Sequence, residues 1–264
     1  MAQIVFQEQP LSYYRFGNSS EKVVVFIHGF CEAKEIWMPL IPALQETSTI
    51  IAIDLPGFGK SGLIKNTTLD VYAEAIKSVL DYEKIKRCIL IGHSMGGYTT
   101  LTFTRKFPER LDAIGLFHSH PFEDDEFKKE NRSKAIKLVS KFGSERYVRE
   151  LTQGLFTQFF ISANPEAVEA FLQLCQKTKE ETVIQALQIM RDRSSNEEVL
   201  KNYAGKVLFI IGKEDSTVTY NKSLEMAAMP SCSLIHIMEN CGHMGMTEYP
   251  KESIKVIKEF LQFV

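Results

Sequence analysis

The chain has 264 residues, 44% hydrophobic and 24% charged, with 31 Lys+Arg against 33 Asp+Glu for a formal net charge of −2. That is ordinary globular usage at the upper length for one compact domain, able to bury roughly three-quarters of its unfolded surface. The balance excludes a basic nucleic-acid footprint and a surface built for anionic membranes, and no apolar stretch reaches bilayer-spanning length.

Met1 to Pro10 mixes Gln3, Gln7, Glu8 and Gln9 among apolar residues, unlike the basic start and unbroken apolar run of a secretory signal. Val23–Ile27 is a β-branched and aromatic run that reads as a buried strand, broken by His28-Gly29-Phe30. A short helix is expected from Trp37 to Gln45, then a strand over Thr49–Ile53 and a helix from Leu69 to Tyr82. Cys88–Ile91 reads as a strand, Met95 to Phe107 as a helix stopped by Pro108, and Leu111–Phe117 as another strand. From about 120 to 204 strand runs vanish and helical patterns follow one another, at Ala135–Phe142, Tyr147–Phe156, Pro165–Cys175 and Glu181–Met190. Strands resume at Val207–Ile211 and Leu234–Met238, and Pro250 to Phe263 closes the chain as an amphipathic helix. Strands alternating with helices predict a single α/β domain over 1–264: a mostly parallel sheet flanked by helices, its strands buried on both faces. The 120–204 segment is expected to be a helical cap over one edge of that sheet.

Five scattered cysteines (Cys31, Cys88, Cys175, Cys232, Cys241) without a C-x-x-C predict free thiols and a cytoplasmic location. Gly92-His93-Ser94-Met95-Gly96 fits G-x-S-x-G between a strand and a helix. There a tight turn strains the serine backbone and the helix N-terminus aims its N–H groups at the reacting oxygen.

With these residues in view, the chain resembles the α/β-hydrolase superfamily over essentially its whole length, as a serine carboxylesterase-like member. The resemblance rests on His28-Gly29-Phe30, Asp54-Leu55-Pro56-Gly57-Phe58-Gly59-Lys60-Ser61, Gly92 to Gly97, Gly212 to Asp215 and Gly242-His243. It implies the order nucleophile, acid, histidine, and so Ser94, Asp215 and His243 as the catalytic set, with Glu214 the competing acid. It also implies an oxyanion hole from the backbone N–H groups of Phe30 and Met95, with Cys31 second choice to Phe30.

Phe122, Phe156, Phe160 and Met190 are candidates for an apolar substrate pocket, although their spacing serves a helix core equally well. Gly57 to Gly62 matches G-x-G-x-x-G, but polar Lys65 to Thr68 follow it, so a structural loop is expected rather than a dinucleotide site. His118 and His120 beside Glu123, Asp124 and Asp125 are not read as a metal site, and no cofactor is expected. The expected activity is hydrolysis of a small or medium carboxylic ester through an acyl-enzyme on Ser94. The partner is then a small-molecule ester, with no nucleic acid or membrane span and an open oligomeric state. Two siblings on the same fold remain, a carbon–carbon bond hydrolase and a menaquinone-pathway synthase. Both would want cations in the pocket. From another class, a non-catalytic receptor or binding module is the alternative.

Overall fold

Among the residues described by the computed structural model, 1–18 and 22–264, eight strands form one sheet. They are β1 (Ala2–Phe6), β2 (Gln9–Phe16), β3 (Val23–Ile27), β4 (Thr49–Ile53), β5 (Cys88–His93), β6 (Leu111–Phe117), β7 (Lys206–Gly212) and β8 (Ser233–Met238). Their spatial order is β1-β2-β4-β3-β5-β6-β7-β8. The first two join antiparallel and every pair from β4 to β8 is parallel. The chain starts its parallel part at β3, steps to β4 on one side, then crosses to β5 on the other. Beyond the carboxyl ends of β3 and β5, where that direction reverses, open sheets of this kind hold their ligands.

β4 and β5 are buried at every position, which is why their sequences are continuous apolar runs. The helices are α1 (Ile41–Leu44), α2 (Leu69–Tyr82), α3 (Met95–Lys106), α4 (Glu126–Phe142), α5 (Glu145–Gln153), α6 (Gln158–Ala163), α7 (Pro165–Cys175), α8 (Glu180–Asp192), α9 (Glu197–Asn202), α10 (Tyr220–Ala227), α11 (Gly245–Glu248) and α12 (Pro250–Phe263). Thr68 caps α2 by accepting the Val71 N–H at 3.3 Å, and the helix buries Tyr72, Ile76, Val79 and Leu80 on one face. α12 begins with Pro250, whose missing N–H costs nothing there, and buries Val256, Ile257, Phe260 and Leu261.

Helices α4 to α9 all lie between β6 and β7. Arg193 clamps the two ends of this insertion. It donates to the carbonyl oxygens of Phe122, at 2.9 Å, and Met190, and pairs with Asp124 Oδ1 at 2.9 Å.

Several elements differ from the sequence reading. The β1–β2 hairpin stands where no strand was expected. α4 starts at Glu126, with Asp125 Oδ1 accepting the Lys128 N–H at 2.8 Å as its cap, because a polar first half can be helical on a solvated face. The stretch from Tyr147 stays helical only to Gln153, leaving Leu155 and Phe156 in a connection. β8 is an edge strand with Ile235 exposed, so it is not buried on both faces. The Gly57–Gly62 segment is a loop, its Asp54 anchor accepting the N–H groups of Lys34 at 2.8 Å and Lys60 at 2.9 Å. Among the described residues no helix is long and apolar enough to cross a membrane.

Candidate active site

Ser94 occupies the turn from β5 into α3 with φ 49° and ψ −118°, a conformation that L-residues seldom adopt and that tertiary contacts must hold. Its N–H donates to the Phe117 carbonyl at 3.0 Å, and its own carbonyl accepts from Gly97 N at 2.9 Å and Ser119 Oγ at 2.7 Å. Gly92 and Gly96 are required by space. A Cβ at Gly92 would lie 2.2 Å from the Gly96 carbonyl oxygen, and one at Gly96 would lie 2.4 Å from that of Ile27. The Ser94 hydroxyl has no hydrogen-bond partner among the described residues. It shares a cavity of about 70 Å³ with His243.

Asp215 follows β7 and His243 follows β8. His243 Nδ1 donates to Asp215 Oδ2 at 2.7 Å, and Asp215 Oδ1 accepts the N–H groups of Thr217 at 2.8 Å and Val218 at 2.9 Å. Burial alone would raise the Asp215 carboxyl; the His243 charge and hydrogen bond, with the Val218 N–H, outweigh it and bring it to about 2. Glu214, the competing acid, is exposed while Asp215 is buried.

Phe30 lies in the loop after β3, and Met95 opens α3. Neither backbone N–H meets an acceptor among the described residues, which leaves both free to donate to an oxyanion. Cys31 beside them is left-handed at φ 61°.

Four buried side chains hold this frame, and of these the sequence singled out neither Glu32 nor Glu248. Glu32 Oε2 accepts the Gly29 N–H at 2.5 Å and faces His93 Nδ1 at 3.0 Å, while His93 Nε2 faces the His243 carbonyl at 2.9 Å. Both nitrogens of His93 thus meet acceptors, the arrangement of an imidazolium with two donors. Burial works against the charge on both partners. Their attraction prevails, leaving His93 above the usual histidine range and Glu32 below the carboxylate range. His118 is the reverse. Its Nε2 accepts the Gly245 N–H at 3.2 Å, its Nδ1 lies 3.5 Å from Asp215 Oδ2, and burial pushes it well below the histidine range, so it is neutral.

Glu248 in α11 is the fourth. Its Oε1 accepts the N–H groups of Gly242 at 3.0 Å and Met244 at 3.2 Å, on either side of His243. Its Oε2 accepts Thr157 N at 3.2 Å and Thr157 Oγ1 at 3.1 Å, and His243 N donates to the Leu155 carbonyl at 2.8 Å. The insertion therefore holds the histidine loop directly.

The cavity is lined by Phe30, Glu32, Tyr98, Thr217 and, from the insertion, Arg132, Tyr147, Leu151, Leu155 and Met190. Of the four expected pocket residues only Met190 is there. Phe156 and Phe160 stack on each other at 5.4 Å between ring centroids, and Phe171 meets Phe156 edge-on at 5.3 Å, so these rings fill the space between α6 and α7. Phe122 stacks on His120 with Lys222 over its ring, outside the cavity. A larger cavity of about 430 Å³, between the start of α2 with the loop before it, α3 and α8, contains none of Ser94, Asp215 and His243. His118 and His120 do not converge on shared partners: His120 Nε2 pairs with the Tyr98 hydroxyl at 3.1 Å. Among the described residues no three His, Cys, Asp or Glu side chains are grouped to hold a metal.

The sequence pattern of the family described as alpha/beta hydrolase fold matches residues 22–250. The 2-hydroxy-6-oxononadienedioate/2-hydroxy-6-oxononatrienedioate hydrolase of Escherichia coli (strain K12) is 23% identical over 267 aligned positions, covering 92% of this chain and 88% of that protein. A malate-bound thermophilic esterase from Thermogutta terrifontis superposes with a TM-score of 0.94 at 23% identity, covering 99% and 98% of the two chains. The enol-lactonase from Burkholderia xenovorans LB400 does so with 0.92 at 17% identity, covering 99% and 100%. At such identities the likeness establishes the fold.

Proposed function

The chain belongs to the α/β-hydrolase fold family, and on that premise we propose that it is a serine hydrolase cleaving a small carboxylic ester through an acyl-enzyme on Ser94. The observation that carries the reading is the 2.7 Å bond from His243 Nδ1 to Asp215 Oδ2, with His243 and the strained Ser94 in the walls of one cavity.

A serine hydroxyl is a weak nucleophile, so His243 Nε2 takes its proton as Oγ attacks the ester carbonyl carbon. Asp215 fixes the tautomer that leaves Nε2 unprotonated and stabilises the imidazolium that forms. The N–H groups of Phe30 and Met95 receive the oxyanion. Collapse breaks the bond to the alcohol oxygen, which leaves with the proton from His243. Water then attacks the acyl-Ser94 ester with His243 again as base, releasing the acid. A cavity of about 70 Å³ favours short acyl groups. Helices α4 to α9 with their connections act as the cap, supplying five of the lining side chains named above.

A fluorophosphonate probe tests the reading. It should add once per chain on the peptide carrying Ser94, and labelling that persists in Ser94→Ala would overturn it.

A carbon–carbon bond hydrolase is the second reading. It is favoured by one observation, the cation Arg132 in the cavity wall, and by the relative whose name specifies a dicarboxylate. Turnover of a vinylogous 1,5-diketone, followed by loss of its chromophore, with simple esters untouched, would select it.

A further inference from the structure

Arg132 projects from α4 into the wall of the Ser94 cavity. Its Nε is bound by Asp124, whose other oxygen lies 2.9 Å from Arg193 Nη1. The two terminal nitrogens of Arg132 have no hydrogen-bond acceptor among the described residues. One edge of the planar guanidinium is therefore fixed and the other is open, a geometry suited to a carboxylate. Arg193 has no such freedom: it is buried, its nitrogens are bound to Phe122 and Met190, and it stacks 4.0 Å over Tyr98.

Asp124 is one buried carboxylate facing two guanidinium groups. Lys128 is held below the usual lysine range by burial, then by Lys222 and Arg132, with Asp124 and Asp125 opposing. His120, already lowered by burial, feels the charges of Arg193, Lys128, Lys222 and Arg132. Tyr147 adds a donor to the same cavity wall. Burial pushes its phenol up to about 12, so it stays protonated, and its hydroxyl has no partner among the described residues.

We propose that the substrate carries a carboxylate, received by the open edge of Arg132 with the Tyr147 hydroxyl beside it while the scissile carbonyl sits at Ser94. This rests on the serine-hydrolase reading and names its substrate class. An anion bound there pairs the open edge of a half-buried guanidinium, whereas an equally long neutral chain leaves that edge unpaired.

The test compares ester pairs of matched length on the full chain. Methyl hydrogen glutarate against methyl valerate places the carboxylate on the acyl side; butyryl glycolate against ethyl butyrate places it on the alcohol side. At least tenfold higher kcat/KM for the anionic member of either pair, mostly through KM, is expected. Arg132→Gln should abolish the preference, the anionic ester losing at least tenfold more kcat/KM than its neutral partner. Arg132→Lys, which keeps charge without the fork, should fall between. If Asp124 without its partner prevents Arg132→Gln from folding, two other measurements decide. Glutarate should inhibit neutral-ester turnover competitively in the wild type, and Tyr147→Phe should weaken that inhibition. No preference in either pair, equal loss of both substrates in folded Arg132→Gln, or no glutarate inhibition overturns the proposal. Fluorophosphonate labelling, run alongside, separates the two levels: labelled Ser94 without a preference removes only the substrate class, and unlabelled Ser94 removes the reading beneath it as well.

Discussion

The His93 ring reaches the main-chain carbonyl of His243 at 2.9 Å, so the residue before the candidate nucleophile holds the backbone of the candidate base. Glu32 completes the link from the loop after β3. His93 is raised, so its contribution to stability is fully present below the ordinary histidine value of 6.5 and is lost as pH rises through the raised one. Glu32 is lowered, so its contribution is present above 4.5 and is lost as pH falls through the lowered value. The melting-temperature gap between wild type and Glu32→Gln should therefore be widest between those limits and narrow outside them. A gap independent of pH would contradict the charged pair.

Asp215→Asn should lower kcat by about four decades while remaining folded, because an amide cannot hold the same imidazole tautomer. Exposed Glu214, changed to Gln, should leave kcat near wild type. The depressed Asp215 carboxyl contributes about 2 kcal/mol that is present above pH 3.8 and lost as pH falls towards about 2. Acid denaturation followed by circular dichroism should show this step in wild type and not in Asp215→Asn.

Glu248→Ala strips acceptors from the N–H groups of Gly242, Met244 and Thr157, at ~1–3 kcal/mol for each group left buried and unpaired. Stability should fall, and kcat should fall in the fraction that remains folded because the His243 loop loosens. Thr157→Val should cost less, and the double variant less than the sum of the two. Urea titrations and kcat for the three variants check this; strict additivity would mean that the two side chains act separately.

Phe156→Ala should cost ~3–5 kcal/mol and leave acyl-chain preference unchanged, since its ring packs on Phe160 and Phe171 away from the cavity. Phe159, exposed, should tolerate alanine. Met190→Ala should instead enlarge the cavity and shift preference towards longer acyl chains, by roughly tenfold for each additional methylene the cavity accommodates. The kcat/KM ratio for acetate and hexanoate esters separates the two cases.

The parallel strands were legible because double burial writes an unbroken apolar run, as in Ile50–Ile53 and Cys88–Ile91. The candidates Ser94 and Asp215 were legible because each follows such a run, and His243 because it follows the strand signal of Leu234–Met238, although that edge strand is only half-buried. The β1–β2 hairpin was not, since β1 at the sheet edge alternates buried Ile4 with exposed Val5 and offers no such run. Nor could Phe156 be told from a pocket residue, because helical spacing is the same for a ring that lines a cavity and one that fills a helix contact. Glu32 and Glu248 act in part through partners distant in sequence, Glu32 on His93 and Glu248 reaching back to Thr157. The sole signal was negative: an acid beside a motif with no local task.

The bonds from Thr157 and Leu155 to the histidine loop make the insertion a poor candidate for modular exchange. A chimera that grafts another protein's helices between β6 and β7 would sever the support of His243 together with the walls of the cavity. Selection for a new substrate acting on this segment is therefore coupled to turnover, and α5–α6 connection residues should vary only in concert with position 248. Laboratory evolution that randomises α4 and α8 while keeping 155–157 fixed would leave that constraint intact.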